Sequence, residues 1–293
     1  MATYIRNLVS QVIGTVIRCL RKCIFRILSF GPLPQHIAFV LDGNRRYAKK
    51  WNLKEGAGYR IGFFALMAML KYCYELGIKY VTVYAFSMDN FKRRPDEVQY
   101  VMDLMQEKIE WLLKEQNTVN KFGMRVYIIG DLKCLTGPVR SAAERIMAAT
   151  AGNSNLVLSV CVAYSSTDEI ANAVKVSCEE KRDQIIKMNG LDGFEMKGGG
   201  DRLEVISMRD VDRNLYMSVA PEANLVVRTS GVARLSNFML WQTGNCLLYF
   251  PTSLWPEIGL RHLIWATFCY QRHHGYLEKT KKLDPISIAK KED

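Results

Sequence analysis

The stretch from His36 through Val40 and Leu41 into Asp42-Gly43-Asn44-Arg45-Arg46-Tyr47-Ala48-Lys49-Lys50 constrains the fold more than any other. An unbroken apolar run ends in one acid, then a glycine, an amide and two arginines. Continuous apolar strands are those covered on both faces, as in a parallel sheet between helices. In open α/β sheets, ligands bind beyond the carboxyl ends of the strands. A carboxylate beside guanidinium groups there suits a magnesium-bridged diphosphate, the acid holding the ion and the arginines the oxygens. Asp42 alone reads equally well as a turn residue, so the rest of the chain has to decide.

Five further runs repeat the strand pattern: Tyr80–Phe86, Arg125–Ile129, Leu156–Val162, Leu225–Val227 and Cys246–Phe250, with Ile37–Leu41 as the first. Helical periodicity fills the intervals. Phe63–Leu76 is apolar with a Lys71 face, and Val98–Leu113 gathers Val98, Met102, Met105, Ile109 and Leu112 on one side. Pro95-Asp96-Glu97 and Ser166-Thr167-Asp168-Glu169 are helix starts, with acids near the positive end of the dipole. Alternating strands and helices predict a single α/β domain over residues 35–276, its central sheet mainly parallel, of about six strands, flanked by helices. A charged tail, 277–293, follows.

Residues 1–34 differ in kind. No acid occurs from Met1 to Phe30, where Arg6, Arg18, Arg21, Lys22 and Arg26 punctuate Leu, Val, Ile and Phe. The longest uncharged run, Asn7 to Ile17, falls short of the ~20 residues a spanning helix needs. The pattern fits a basic amphipathic helix on an anionic membrane surface, with a disordered or transit-type leader as the alternative. Cys19 and Cys23 stand one turn apart, as lipidation sites or plain apolar-face residues. Gly31-Pro32-Leu33-Pro34 separates this leader from the body.

A net charge of +11 calls for an anionic partner: phosphorylated substrate, membrane or nucleic acid. The 8 cysteines include no C-x-x-C pair, and most sit in apolar patterns, so they read as reduced core thiols. With 4 scattered histidines, no zinc site is expected. Lys187–Glu204, including Gly198-Gly199-Gly200, lacks the Lys-Ser/Thr of a phosphate loop and reads as a flexible insertion.

Two more motifs repeat the first. Tyr84-Ala85-Phe86-Ser87-Met88-Asp89-Asn90-Phe91-Lys92-Arg93-Arg94-Pro95 and Val227-Arg228-Thr229-Ser230-Gly231-Val232-Ala233-Arg234-Leu235-Ser236-Asn237-Phe238 each end a strand in hydroxyl, amide and basic residues. In a parallel sheet all three converge on one rim, giving two cationic sites that share one carboxylate. Condensation of two diphosphates needs that arrangement. A nucleic-acid binder would explain the charge but not three strand-end motifs.

These motifs, in this order from Pro34 to Tyr276, resemble the cis-prenyltransferases, the undecaprenyl and dehydrodolichyl diphosphate synthases. Leu240-Trp241-Gln242-Thr243 and Leu254-Trp255-Pro256-Glu257 are similar to the eukaryotic branch. Tyr72-Cys73-Tyr74-Glu75-Leu76-Gly77 and Ile109-Glu110 look most like plant members, including those linked to rubber. The resemblance implies an apolar tunnel beneath the sheet, with Phe63, Phe64, Met67, Met69, Met102, Leu104 and Met105 as candidate walls. It implies addition of isopentenyl diphosphate to an allylic diphosphate such as farnesyl diphosphate, giving long-chain cis-polyprenyl diphosphates of dolichol or rubber type. By matching position, Asp42 would bind Mg2+ and assist departure of the allylic diphosphate. Gly43, Asn44, Arg45, Arg46 and Tyr47 would cradle that diphosphate, with Tyr59 and Arg93 beside it. Ser87, Asp89 and Asn90 would line the junction, Asn90 near the proton that is lost. Phe91 would pack on the prenyl chain, and Arg228, Arg234 and Ser236 would grip isopentenyl diphosphate.

Four positions depart from the bacterial pattern. Tyr59 replaces a histidine in Gly58-Tyr59-Arg60-Ile61-Gly62, Val232-Ala233 replaces an acid after Ser-Gly, Leu247 replaces a second metal-site acid, and Arg272-His273-His274-Gly275 does not match the C-terminal Arg-x-Gly. Eukaryotic catalytic subunits of this type take that last motif from a partner resembling the Nogo-B receptor. The expectation is therefore a dimer with such a partner, on the cytosolic face of the endoplasmic reticulum or a lipid particle, with a cytoplasmic location as the alternative. Tyr59 and Val232-Ala233 also admit a weakly active or non-catalytic subunit.

Overall fold

Six strands form one all-parallel sheet: β1 (His36–Val40), β2 (Tyr80–Ser87), β3 (Met124–Ile129), β4 (Leu156–Tyr164), β5 (Leu225–Arg228) and β6 (Leu247–Tyr249). Their spatial order is β3-β4-β2-β1-β5-β6. The computed structural model describes residues 2–191 and 206–283. Most of the glycine-rich stretch and the last ten residues lie outside them. The helices are α1 (Ala2–Leu28), α2 (Asn44–Lys50), α3 (Ala57–Leu76), α4 (Pro95–Lys114), α5 (Gln116–Lys121), α6 (Gly137–Ala149), α7 (Ser166–Leu191), α8 (Met208–Asn214) and α9 (Leu260–Leu283).

All six expected strands form. Their unbroken apolar character has the anticipated cause: β1 is buried along its whole length, Ile37 and Phe39 facing one core and Ala38 and Val40 the other. The larger core takes Met69, Leu70 and Cys73 of α3, Met102, Ile109 and Leu112 of α4, and Val139 and Ile146 of α6. The smaller one takes Met217, Phe238 and Met239.

The register places the site. Val40 pairs with Tyr84 on one side and with Arg228 on the other. Strands β1 and β5 therefore end at one level, β2 runs on to Ser87, and the residues that follow all three share a rim. The chain moves outward from β1 to β2 and later returns to β1's other side as β5. That reversal of strand order is where open α/β sheets bind ligands.

Several local readings differ from the structure. Helix α3 starts at Ala57 rather than Phe63, because Gly58 and Gly62 are used for close packing despite their poor helix propensity. The first turn of α7 is capped by the Ser165 hydroxyl, which accepts from the Asp168 N–H at 3.2 Å. Ser166 is fully buried. Only Cys73 and Cys161 are core thiols; Cys19, Cys23, Cys134 and Cys178 are exposed, since their helices and turns show those positions to solvent. Helix α9 carries the chain to Leu283, so the start of the charged tail is helical.

The leader is helical and docked. Phe25 and Leu28 are buried, Arg21 donates to both Glu75 carboxylate oxygens at 2.6 and 3.0 Å, and Gln271 donates to the Leu28 carbonyl at 2.6 Å. Val12, Ile13, Val16, Ile17 and Leu20 are exposed. Among the described residues no helix is long and apolar enough to cross a membrane.

An apolar cavity of about 160 Å³ lies between α3, α4 and the sheet. Phe63, Met67, Leu104 and Met105 line it, whereas Met69 and Met102 are packed core and Phe64 is exposed. A smaller space of about 70 Å³ shares Met67, Leu70, Leu112 and Met124 as walls and reaches Tyr74 and Phe122.

His36 opens β1 fully buried, its Nδ1 2.7 Å from the Pro221 carbonyl and its Nε2 2.8 Å from the Thr82 hydroxyl. Burial disfavours the imidazolium and lowers its pKa to about 4. The unfolded chain therefore takes up this proton near pH 6.5, before the folded chain does. The stability that neutral His36 contributes is present above that pH and is lost as pH falls toward 4, on the order of 3 kcal/mol. Urea unfolding of wild type and His36→Gln at pH 7 and pH 4 tests this. The pH-dependent loss is expected to shrink by about that amount in the variant.

Candidate functional site at the strand ends

The turn after β1 is fixed by its main chain. The Asp42 N–H points to the Val40 carbonyl at 2.9 Å and the Thr229 hydroxyl at 3.1 Å. The Asp42 carbonyl accepts from the Thr229 hydroxyl at 2.6 Å and from the Trp255 N–H at 2.9 Å. Gly43 has φ +110°, and a Cβ there would meet Leu254 at 2.9 Å. From the other side, Gly58 and Gly62 bring α3 against Asn44. A Cβ on Gly58 would lie 2.0 Å from the Asn44 carbonyl oxygen, and one on Gly62 2.4 Å from Asn44 Oδ1 and 2.9 Å from the Trp255 indole. The indole N–H donates to the Gly62 carbonyl at 2.9 Å. The Gly58-Tyr59-Arg60-Ile61-Gly62 and Leu254-Trp255-Pro256-Glu257 segments thus clamp the turn between them.

Two arginines engage the Asp42 carboxylate. Arg228 donates from Nη2 to Oδ2 at 2.7 Å, and Arg46 from Nη2 to Oδ1 at 3.4 Å. Burial pushes the Asp42 pKa up, but Arg228, the Ser230 hydroxyl and Arg46 outweigh it and hold the group below its ordinary value. Arg228 is only 4% exposed. Its Nη1 donates to Ser236 Oγ at 2.7 Å and to the Arg234 carbonyl at 2.9 Å. Arg228 is therefore not a free phosphate ligand here, and it ties the first motif to the third. Arg234 is exposed and lines the cleft.

A second cluster forms at the start of α4. The largely buried Glu97 carboxylate accepts from Arg93 at 2.8 Å, from the Tyr59 hydroxyl at 3.1 Å and from Arg45 at 3.4 Å. Arg93 also donates to the Tyr59 oxygen at 3.0 Å. Burial raises the Tyr59 pKa, so this phenol stays a neutral donor. Glu97 was legible only as a first-turn acid; its ring of cationic and phenolic partners comes from three separate segments.

One cleft of about 760 Å³ is lined by Asp42, Gly43, Asn44, Arg45, Arg46, Tyr59, Ser87, Asp89, Asn90, Arg93, Arg228, Arg234 and Ser236. Two expected residues lie elsewhere. Tyr47 turns its ring toward Trp51, at 6.3 Å, and Phe91 packs edge-on against buried Phe86 at 4.9 Å; neither lines a described cavity. Asp89 is exposed and paired with Lys92 at 2.7 Å. The Asn90 amide oxygen accepts from the Ser87 N–H at 3.1 Å, which leaves its N–H group as the donor it can offer. Val232 lines the cleft and Leu247 is a half-buried residue of β6.

Beneath the third motif lies a support the sequence did not reveal. Buried Glu169 accepts from the Tyr164 hydroxyl at 2.5 Å, the Met217 N–H at 2.8 Å and Gln242 at 3.1 Å. Tyr84 stacks on Phe238 at 4.5 Å, and its hydroxyl donates to the Tyr164 carbonyl at 3.1 Å. Beside this packing Ser236, Asn237 and Met239 adopt positive φ, a conformation non-glycine residues keep only when their surroundings over-determine it.

Among the described residues no group of three or more His, Cys, Asp or Glu side chains could hold a metal. One carboxylate with open cleft beside it still fits magnesium, which keeps waters and is usually bound through one or two carboxylates and substrate phosphates.

A parallel sheet with a cationic cleft at its switch point, Asp42 at its base and, among the described residues, only the exposed, Lys92-paired Asp89 as a second carboxylate, defines a diphosphate-handling α/β enzyme class. The family model described as putative undecaprenyl diphosphate synthase matches residues 40–277. A dehydrodolichyl diphosphate synthase of Solanum lycopersicum is 58% identical, covering 89% of this chain and 92% of its own. A rubber cis-polyprenyltransferase of Hevea brasiliensis is 50% identical over 90% and 93%. The crystal structure of lavandulyl diphosphate synthase from Lavandula x intermedia, in complex with dimethylallyl diphosphate, matches with TM-score 0.72 at 25% identity, over 82% of this chain and 95% of that one. The chain belongs to the cis-prenyltransferase family.

Gly62→Ala should lower stability by about 1–3 kcal/mol, since the indole and Asn44 must both move. Gly14, with nothing within 4 Å of its Cβ position, is the control: Gly14→Ala should cost nothing. Chemical denaturation of both variants checks the clamp.

Proposed function

We propose that the cleft condenses isopentenyl diphosphate with an allylic diphosphate, such as farnesyl diphosphate, and repeats the addition to make long-chain cis-polyprenyl diphosphates. The chain is an enzyme of the cis-prenyltransferase class, and its relatives make dehydrodolichyl diphosphate and rubber. One observation carries the reading: the motifs after three adjacent parallel strands line a single cleft that shares Leu41, Asn44, Tyr59, Ala85 and Val101 with the apolar cavity. A diphosphate can sit in the cleft while its hydrocarbon tail enters the cavity. Together with the smaller space beyond it, that cavity is the start of the prenyl tunnel.

Each residue then has a task. Asp42 would hold Mg2+, which when bound neutralises charge on the departing diphosphate. Arg45 and Arg46, both more than half exposed, bind its oxygens and stabilise the charge developed on leaving. Glu97 holds Arg93, Tyr59 and Arg45 in place beside them. Arg234 anchors isopentenyl diphosphate with Ser236, and Arg228 fixes the geometry of both. Asn90 orients the reacting unit as a donor, and the proton passes to a diphosphate oxygen, because an amide is too weak a base. The intact cradle favours catalysis over a non-catalytic subunit role.

A partner completes the picture. No counterpart of the C-terminal Arg-x-Gly is recognisable, so a second chain resembling the Nogo-B receptor supplies it in a dimer. The basic helix α1, with its exposed apolar stripe, suits attachment of the pair to the anionic cytosolic face of the endoplasmic reticulum or a lipid particle.

Two measurements test this. With the partner co-expressed, Asp42→Ala should lower incorporation of labelled isopentenyl diphosphate by about 10²–10³-fold; near wild-type incorporation would sink the assignment. Flotation with anionic liposomes should retain the full chain and lose a chain beginning at residue 31. Equal flotation of both would remove the leader's role.

A further inference from the structure

Arg228, among the described residues the one buried cation lining the cleft, pairs with Asp42, and the carboxylate in that pair is the one a metal would use. This inference rests on the metal-holding role proposed for Asp42. The guanidinium is held from three directions: Asp42 Oδ2 at 2.7 Å, Ser236 Oγ at 2.7 Å and the Arg234 carbonyl at 2.9 Å. Its Nε–H is buried with no partner. A charge-assisted pair whose cation is buried is costly to break unless another negative charge takes over. A magnesium ion on the same carboxylate would place two positive groups on one anion. The pair and the metal therefore oppose each other, and by linkage each weakens the other to the same extent.

We propose that Arg228 gates metal entry at Asp42. Without substrate, the salt bridge occupies the carboxylate. A diphosphate arriving on the Arg234–Ser236 loop offers the guanidinium a competing anion whose oxygens suit its fork. Arg228 moves its charge to that diphosphate and frees Asp42. Metal affinity is then coupled to occupancy of the acceptor site, so the allylic diphosphate is not helped to leave while only water could take its place. Arg228 is in this sense a positioning residue acting through Asp42, and not simply one more phosphate ligand.

The test is direct metal binding to the full chain, read by the electron paramagnetic resonance signal of free Mn2+. Arg228→Met should bind Mn2+ roughly ten-fold tighter than wild type, within the range usual for coupled sites. Arg228→Lys, which keeps the charge but loses the fork, should fall between them and guards against a folding defect in the first variant. Asp42→Asn should abolish binding. Independently, Mg2+ should speed hydrogen exchange of the 228–236 segment in wild type and leave it unchanged in Asp42→Asn. Equal Mn2+ affinity in wild type and both Arg228 variants, with Mg2+-insensitive exchange, overturns the gate and leaves the metal role of Asp42 standing. Absence of Mn2+ binding in every form, Arg228→Met included, overturns the metal role and the gate with it.

Discussion

Everything at the rim depends on how Asp42 is held. Its main chain is fixed by Thr229 and Trp255, and its carboxylate by Arg228 and Arg46. These partners come from β5 and its following loop, from the segment before α9, and from α2. The carboxylate's position thus reports the correct assembly of most of the domain. Thr229 and Trp255 fix its main chain, so the acid proposed as metal ligand keeps its place even when Arg228 lets go of its carboxylate.

The parallel sheet makes the convergence possible. Because Val40 is level with both Tyr84 and Arg228, the three strand ends need no long loops to meet. Glycines then set how close α3 approaches. The approach carries Tyr59 and the apolar wall of α3 to the edge of the cleft, so polar and hydrocarbon regions share walls. The polar cleft and the apolar cavity are thereby joined through one packing contact.

Much of this was legible in the sequence, for identifiable reasons. The strands announced themselves because burial on both faces leaves few polar positions, and the motifs because charge following such a run has few structural uses. What was hidden depended on distant partners. The helix start at Ala57 was obscured by Gly58 and Gly62, whose cost in propensity is offset by contacts with Asn44 and Trp255. Glu97 looked like an ordinary acid favouring a helix dipole until Arg93, Arg45 and Tyr59 gathered around it. Phe91 and Tyr47 were expected at the substrate by position in a motif, but their rings turn to Phe86 and Trp51. Arg228 and Arg234 looked equivalent, six residues apart at one strand end; only the fold shows one buried on Asp42 and the other facing solvent.

The central claim is that one cleft seats two diphosphates, with Asp42 and Arg228 at their boundary. A crystal structure of the full chain with Mg2+, isopentenyl diphosphate and a non-reactive thio analogue of farnesyl diphosphate tests it most directly. The account predicts one diphosphate on Arg45 and Arg46, the other on Arg234 and Ser236, and the farnesyl tail among Phe63, Met67 and Met105. A single diphosphate spanning both sets of arginines, or a tail lying outside the α3–α4 cavity, would contradict it.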